Sequence, residues 1–286
     1  YWVLTEDLEK AKPQFNRDVK RMLRAFEYWF GPYPFYNDGY KLVQSPHLGM
    51  EHQSAIAYGN QFKNGYLGTD LSGSGWGLGW DYIIVHESGH EWFANNITTR
   101  DIADMWVHEG FTMYAEVLFV EYHYGKKAAD EYTRGLRRAI RNDRPLIGPY
   151  GVNQEGSSDM YHKGANLIHT IREIIGNDSV FREILRGMNR DFALVPTTSA
   201  AVEKYWIEKT GLPLQPIFDQ YLRTTQIPKL EFRAVDGKTE CRWTNCLTAF
   251  RMPVRGADAQ WEWVGTEWTA ISPMKRSDLP ANLYVQ

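Results

Sequence analysis

The chain has 286 residues, of which 14% are aromatic and 23% are charged, and its formal net charge at pH 7 is −3. Such a chain can bury a large hydrophobic core, so its composition excludes an intrinsically disordered protein. The small net charge predicts no nucleic-acid-binding surface, and no stretch of the sequence contains the roughly 20 apolar residues of a membrane-spanning helix.

The first part of the chain is predicted to contain one amphipathic helix and two short strands. Apolar residues recur at helical spacing from Pro13 to Phe30. Short apolar runs at 40–43 and 55–58 are typical of strands, and they bracket a connection or edge strand at 46–52. This bracketed segment is expected to lie beside a site.

Helices dominate the middle of the chain. Asp81 can cap a helix that continues to about residue 95, and a second, apolar helix is predicted from Met105 to Tyr124, with Gly125 as its C-terminal cap. Further helices are predicted at 127–142, 158–175, 178–188, 198–209 and 215–224.

The hydrophobic period changes after Pro228. Alternating, strand-like runs follow, so residues 229–286 are predicted to form a separate β-rich segment. Cys241 and Cys246 lie in this segment, and they allow two interpretations: a short loop closed by a disulfide, or two reduced thiols. Two cysteines are too few for a disulfide framework or for a metal site built from thiolates.

The most informative stretch is residues 86–90, His-Glu-Ser-Gly-His, which match the pattern H-E-x-x-H on a predicted helix. Residues four apart on a helix are separated by about one turn, a rise of roughly 6 Å, so the imidazoles of His86 and His90 can reach one cation. Glu87 stands beside the first of these ligands and can contact water at the cation. This arrangement is typical of a metallopeptidase site.

A catalytic zinc ion has three protein ligands and keeps a fourth position open. Eighteen residues separate His90 from Glu109, which starts the next predicted helix and supplies the third ligand. Two imidazoles and one carboxylate suit zinc, since soft thiolates are absent from the set. We therefore predict one catalytic Zn²⁺ ion held by His86, His90 and Glu109, with Glu87 as the general base.

These residues resemble the zinc signature of the aminopeptidase N family of gluzincin metallopeptidases, which includes the leukotriene hydrolases. In that family the third ligand stands in an Asn-Glu-Gly-Phe context, and here it stands in His-Glu-Gly-Phe at 108–111. The resemblance implies an α+β fold. A thermolysin-like zincin catalytic domain with a small mixed sheet and helices is expected at 1–144, a helical subdomain that completes the active site at 145–228, and the start of a small β-sandwich domain at 229–286.

Two further family landmarks occur in the expected order. Residues 48–52, Leu-Gly-Met-Glu-His, resemble the exopeptidase motif G-x-M-E-N, with Leu and His in place of Gly and Asn. The resemblance implies that Gly49, Met50 and Glu51 bind substrate, because the glutamate of this motif holds the free α-amine while the adjacent backbone pairs with the peptide. Tyr161, in Tyr-His-Lys-Gly, resembles the family tyrosine whose hydroxyl stabilises the oxyanion of the tetrahedral intermediate.

The resemblance implies a zinc aminopeptidase that acts on peptides with a free N-terminus. Two alternatives remain open: an endopeptidase of the thermolysin type, which has no use for an amine anchor, and a non-catalytic binding module with a structural zinc ion, which needs neither Glu87 nor Tyr161. The family's N-terminal β domain, which contributes to the substrate pocket, is expected to be missing from this sequence. The compartment and the preferred N-terminal residue stay open.

Overall fold

In the computed structural model, which describes residues 1–255 and 260–286, the first long element is helix α1, Leu8–Phe30. The helix begins before Pro13, which therefore lies inside it and does not start it as predicted. Proline has no N–H to donate, so one backbone acceptor of the preceding turn lacks its helical partner. Pro13 lies on the exposed face of α1, where water can bond that acceptor, and this exposure explains why the helix continues through it.

A small mixed sheet follows α1. It consists of β1, Leu42–Gln44, β2, Gly49–Met50, and β3, Ile56–Tyr58. The strand order is β1-β3-β2, with β3 parallel to β1 and antiparallel to β2. All three residues of β3 are buried. The strand β2 therefore lies at the edge of the sheet, within the segment 46–52 in which an edge strand is predicted.

Helix α2, Tyr82–Gly89, packs against β3 and against α1. The carboxylate of Asp81 accepts a backbone N–H of the first turn, so the predicted cap is confirmed. The helix is shorter than predicted, because the chain changes to a π-type turn at Glu91–Asn96. In this π-turn segment the N–H of Asn95 donates to the carbonyl of His90, five residues back, at 2.9 Å.

Helix α3, Trp106–Tyr124, is the central helix of the molecule. Every residue from Trp106 to Val120 is buried, and the helix ends at Gly125, the predicted cap, which has a φ of 88°. Further helices are α4, Lys126–Leu136, α5, His162–Ile175, α6, Asp178–Asp191, α7, Ser199–Thr210, and α8, Gln215–Arg223. Among the described residues, none of the helices combines the length and the hydropathy needed to cross a bilayer.

Strands resume after the last long helix. They are β4, Lys229–Val235, β5, Lys238–Thr244, β6, Met252–Arg255, β7, Trp261–Val264, and β8, Thr269–Ile271. They form an antiparallel sheet in the order β4-β5-β8 and a separate antiparallel pair of β6 with β7. Cys241 is buried and Cys246 is partly buried, and both are free thiols. The architecture is thus α+β, with a small mixed sheet, a helical region and a β-rich C-terminal segment.

Candidate metal centre

Three side chains from neighbouring helices converge on one point. His86 lies on α2, His90 at its C-terminal end, and Glu109 in the first turn of α3. Oε2 of Glu109 lies 3.5 Å from Nε2 of His86 and 3.3 Å from Nε2 of His90. The three ligand atoms lie within 4.8 Å of one another, and all three residues are buried. The structure therefore brings the three predicted ligands together.

The residues of this cluster fit a zinc ion. Oε2 of Glu109 is buried and forms no hydrogen bond of normal geometry with the described residues. A buried carboxylate oxygen without a donor is costly, and a bound cation removes that cost. Two imidazole nitrogens and one carboxylate oxygen are also a donor set of catalytic zinc sites.

The electrostatics of the cluster favour positive charge. Burial by itself opposes ionisation of Glu109 and of both imidazoles. Attraction between the carboxylate and the imidazoles outweighs burial, so the pKa of Glu109 is lowered and the pKa values of His86 and His90 are raised, with Glu116 adding to the effect on His86. A group of buried side chains that stabilises added positive charge is an attractive site for a metal cation.

Each imidazole is held through the ring nitrogen that faces away from the cluster. Nδ1 of His86 lies 2.6 Å from Oε1 of Glu116, and the hydroxyl of Tyr132 donates to the other oxygen of Glu116 at 2.7 Å. Nδ1 of His90 lies 3.0 Å from the backbone oxygen of Phe93. Because these partners are acceptors, each Nδ1 keeps a proton, and each Nε2 faces the cluster, where it would present a lone pair once a cation displaces the second proton.

Glu116 is a functional candidate that the sequence analysis missed. It is fully buried, and it lies seven residues after Glu109, two turns further along the same face of α3. A second glutamate at this spacing behind a predicted ligand is the signal that could have identified it. Its partner His86 could not be inferred, because the contact joins two helices.

Replacing Glu116 with glutamine is expected to weaken metal affinity by about 10- to 100-fold, because the charged acceptor that orients His86 is lost. The dissociation constant for zinc, measured by competition with a chelator, checks this. Tyr132→Phe is the matched control: it removes only the hydroxyl on the far oxygen of Glu116, so a smaller loss is expected. An unchanged zinc affinity in Glu116→Gln would show that the contact with His86 does not support the metal.

We call His86, His90 and Glu109, the three predicted ligands, the metal cluster. The carboxylate of Glu87 lies between these three residues and the edge strand β2. Glu51, Glu87 and His90 form a second group whose ligand atoms lie within 4.8 Å of one another. A Cβ atom added to Gly49 would lie 2.4 Å from Oε1 of Glu87, so the glycine lets the strand backbone approach this carboxylate. Met50 is 39% exposed. Burial raises the pKa of Glu87, which makes it a stronger base than an exposed glutamate.

Tyr161 lies where a short 3₁₀ turn, Ser158–Met160, meets α5. The predicted helix 158–175 is therefore interrupted at this residue. The ring of Tyr161 stacks on His86 with the ring centroids 6.1 Å apart. Burial, and then the nearby carboxylate of Glu109, raise the pKa of Tyr161. Its hydroxyl therefore stays protonated at neutral pH and can donate a hydrogen bond.

Helices α3 and α5 touch through two glycines. A Cβ atom added to Gly110 would lie 3.2 Å from the backbone oxygen of Met160, and one added to Gly164 would lie 3.0 Å from Cα of Gly110. Glu109 precedes the first glycine, and Tyr161 lies one turn before the second. The glycine contact therefore brings the helix segments that carry the Glu109 carboxylate and the tyrosine close together.

Comparison with protein families gives a match over most of the chain. The peptidase family M1 domain matches residues 14–221. Aminopeptidase M1-A of Oryza sativa subsp. japonica is 25% identical over 197 residues, which cover 64% of this chain and 21% of the rice protein. Aminopeptidase B of Mus musculus is 24% identical over 246 residues, which cover 77% of this chain and 36% of the mouse protein. The chain thus spans between about a fifth and a third of the length of these relatives.

Solved structures show the same fold. The M1 zinc metallopeptidase from Deinococcus radiodurans matches with a TM-score of 0.59 and 23% identity, over 74% of this chain and 44% of that one. Native leukotriene A4 hydrolase from Saccharomyces cerevisiae matches with a TM-score of 0.60 and 18% identity, over 77% of this chain and 36% of that one. The predicted fold class is confirmed.

Proposed function

Because the chain belongs to peptidase family M1, we propose that it is the catalytic part of a zinc aminopeptidase that removes residues from the N-termini of peptides. The observation that carries this proposal is the position of Glu51, whose carboxylate lies within 4.8 Å of Glu87 and of the predicted ligand His90. An α-amine bound at Glu51 would place the first residue of a peptide next to His90 and Glu87. We also retain the division into 1–144, 145–228 and 229–286 as a proposal.

His86, His90 and Glu109 would hold the zinc ion. When bound, zinc supplies a Lewis acid for the scissile carbonyl and lowers the pKa of a water molecule towards about 7. We propose that Glu87 accepts the proton of the attacking water and passes it to the leaving amine. The raised pKa of its buried carboxylate supports the first half of this transfer, in which the group binds the proton.

Glu51 would bind the cationic α-amine of the substrate. The carboxylates of Glu51 and Glu87 are neighbours, so an ammonium group placed between β2 and the metal cluster meets two negative charges. An N-acetylated peptide has no such charge and gains nothing from this pair. The anchor thus supplies selectivity for free N-termini.

Tyr161 would donate its hydroxyl to the oxygen that becomes negative as the peptide carbonyl is attacked. Replacing Tyr161 with phenylalanine is expected to lower kcat by about 10²- to 10³-fold, with a small change in KM, because this hydrogen bond strengthens only in the transition state. Steady-state kinetics check this, and the zinc content of the variant should equal that of the unchanged protein.

Tyr150→Phe is the matched control for this tyrosine. Tyr150 is 55% exposed, and its hydroxyl donates at 2.7 Å to Asp104, which is not one of the predicted metal ligands. Kinetics close to those of the unchanged protein are expected for this variant. Equal and small losses in both variants would remove Tyr161 from the mechanism.

The proposed function is tested with a panel of amino-acid amide reporters, each with a free and with an acetylated α-amine, assayed with and without a chelator and alongside metal analysis. An aminopeptidase cleaves the free forms and loses this activity with the chelator. Acetylated peptides of several residues complete the panel, and cleavage of their internal bonds would favour the thermolysin-type endopeptidase. Stoichiometric zinc without any hydrolysis would favour the binding module, and absence of bound metal would overturn all three readings.

A further inference from the structure

The loop 51–54 lies in the connection 51–55 between the edge strand β2 and the central strand β3, and it begins with Glu51. Two hydrogen bonds tie this loop to the π-turn segment. Nδ2 of Asn95 donates to the backbone oxygen of Glu51 at 2.9 Å, and the backbone N–H of Ser54 donates to Oε1 of Glu91 at 2.7 Å. Both ends of the loop are therefore bonded to the stretch of chain that directly follows His90.

The two asparagines of this segment reach different partners, in a stretch where the backbone kinks at Phe93 and Ala94 and its hydrogen bonds span five residues. The N–H of Asn95 bonds the carbonyl of His90, and the N–H of Ile97 bonds the carbonyl of Trp92 at 3.2 Å, each five residues back. A regular α-helix would have used carbonyls four residues back and turned these side chains to other directions. In this structure the side-chain amide of Asn95 bonds the backbone oxygen of Glu51 in the loop 51–54. The side-chain amide of Asn96 instead donates to the backbone oxygen of Asn189 on α6 at 2.8 Å.

The strand β2 holds Glu51 only weakly by itself. It pairs with β3 through two residues, Gly49 and Met50, and Glu51 lies just beyond the last pair. Ser54, at the other end of the loop, has further partners in Tyr33 and Lys41. Of these side chains, Asn95 is the one that bonds the backbone of Glu51 itself.

We propose that Asn95 is a positioning residue that fixes the amine-binding carboxylate of Glu51 relative to the metal ligand His90 and thereby restricts cleavage to the first peptide bond. This inference rests on the proposed aminopeptidase function. The π-turn segment acts as a fixed spacer, because one continuous piece of backbone carries both His90 and the amide that holds Glu51. Displacement of a reacting group by about 1 Å can cost roughly 10²-fold in rate, so a spacer of fixed length has a large effect.

The variants Asn95→Ala and Asn95→Asp test this inference. Both remove the donated hydrogen bond. The aspartate keeps the shape of the side chain but adds a negative charge beside the buried Glu91 carboxylate, so the alanine variant is the primary test. For each, the ratio of kcat/KM for a free amino-acid amide to that for its N-acetyl analogue is expected to fall about tenfold or more, through a higher KM for the free amide. The rate with the N-acetyl analogue and the zinc content are expected to stay unchanged.

A binding measurement gives a second readout without turnover. In the background of Glu87→Gln, titration calorimetry compares the affinity of a free amino-acid amide with that of its N-acetyl analogue. Asn95→Ala is expected to reduce the preference for the free amine about tenfold. Asn96→Ala is the matched control, since it removes a similar amide-to-carbonyl bond directed at α6 and should lower thermal stability without changing either ratio.

The possible outcomes separate this inference from the proposed function. If the unchanged protein does not prefer free amides, the proposed function fails. If it does prefer them and both Asn95 variants keep that preference, the positioning role is overturned while the function stands. If the Asn95 and Asn96 variants lose activity equally on free and acetylated amides, Asn95 has only a structural role, and the inference is likewise overturned.

Discussion

Replacing Glu87 with glutamine is expected to lower kcat by about 10²- to 10⁴-fold while zinc stays bound, because the amide keeps the size of the carboxylate but cannot accept the proton of water. His86, His90 and Glu109 form the predicted ligand set without Glu87, so metal binding should survive the change. Hydrolysis of a free amino-acid amide and metal analysis of the same sample check both halves of the prediction.

The control for this substitution is Glu183→Gln. Glu183 is exposed on α6 and takes no part in the proposed site, so its loss of charge should leave kcat unchanged. A Glu87→Gln protein that hydrolyses amides at the normal rate would refute the general-base role. A variant that has also lost its zinc would place Glu87 among the residues that support the metal.

Replacing Glu109 with alanine is expected to remove both stoichiometric zinc and activity. The change leaves two imidazoles and removes the negative charge that raises their pKa values. Protons therefore compete more weakly with zinc for the two imidazoles. The zinc ion, however, loses the only carboxylate among its three predicted ligands. We expect the loss of zinc affinity to exceed the roughly 10- to 100-fold effect predicted for Glu116→Gln, because a direct ligand and not its support is removed.

Chelator treatment provides the comparison for Glu109→Ala. The unchanged protein should lose activity with a chelator and regain it when zinc is restored, whereas the variant should stay inactive at the same zinc concentration. Melting temperatures of both metal-free proteins show whether the variant is folded. Retention of one zinc ion per chain in a folded Glu109→Ala protein would mean that Glu109 is not a ligand.

The sequence was sufficient for the parts of the site that depend on local spacing. The separation of His86 from His90 by one turn predicts that they share a helix face, and Asp81 and Gly125 mark helix ends that the structure confirms. The convergence of Glu109 with the two histidines needs only that two successive helices pack together. These features follow from residues that are close in the chain or from a motif with a fixed interval.

The features that the sequence did not reveal depend on contacts between distant segments. The helix predicted to reach residue 95 changes to the π-turn segment, where the side chains of Asn95 and Asn96 bond carbonyls of the loop 51–54 and of α6. Glu116 acquires its role only because α2 lies beside α3. Pro13 is tolerated inside α1 because that face is exposed. Propensity and periodicity contain no information about such partners.

The contact between Gly110 and Gly164 has a consequence for motion in the molecule. Gly110 belongs to the first proposed subdomain and Gly164 to the second, and they meet through backbone atoms that have no rotamers with which to absorb a shift. If the two proposed subdomains rock against each other, we expect them to pivot close to this contact. Residues beside a pivot move least, so we expect the distance between the Glu109 carboxylate and the Tyr161 hydroxyl to stay the same during such a movement.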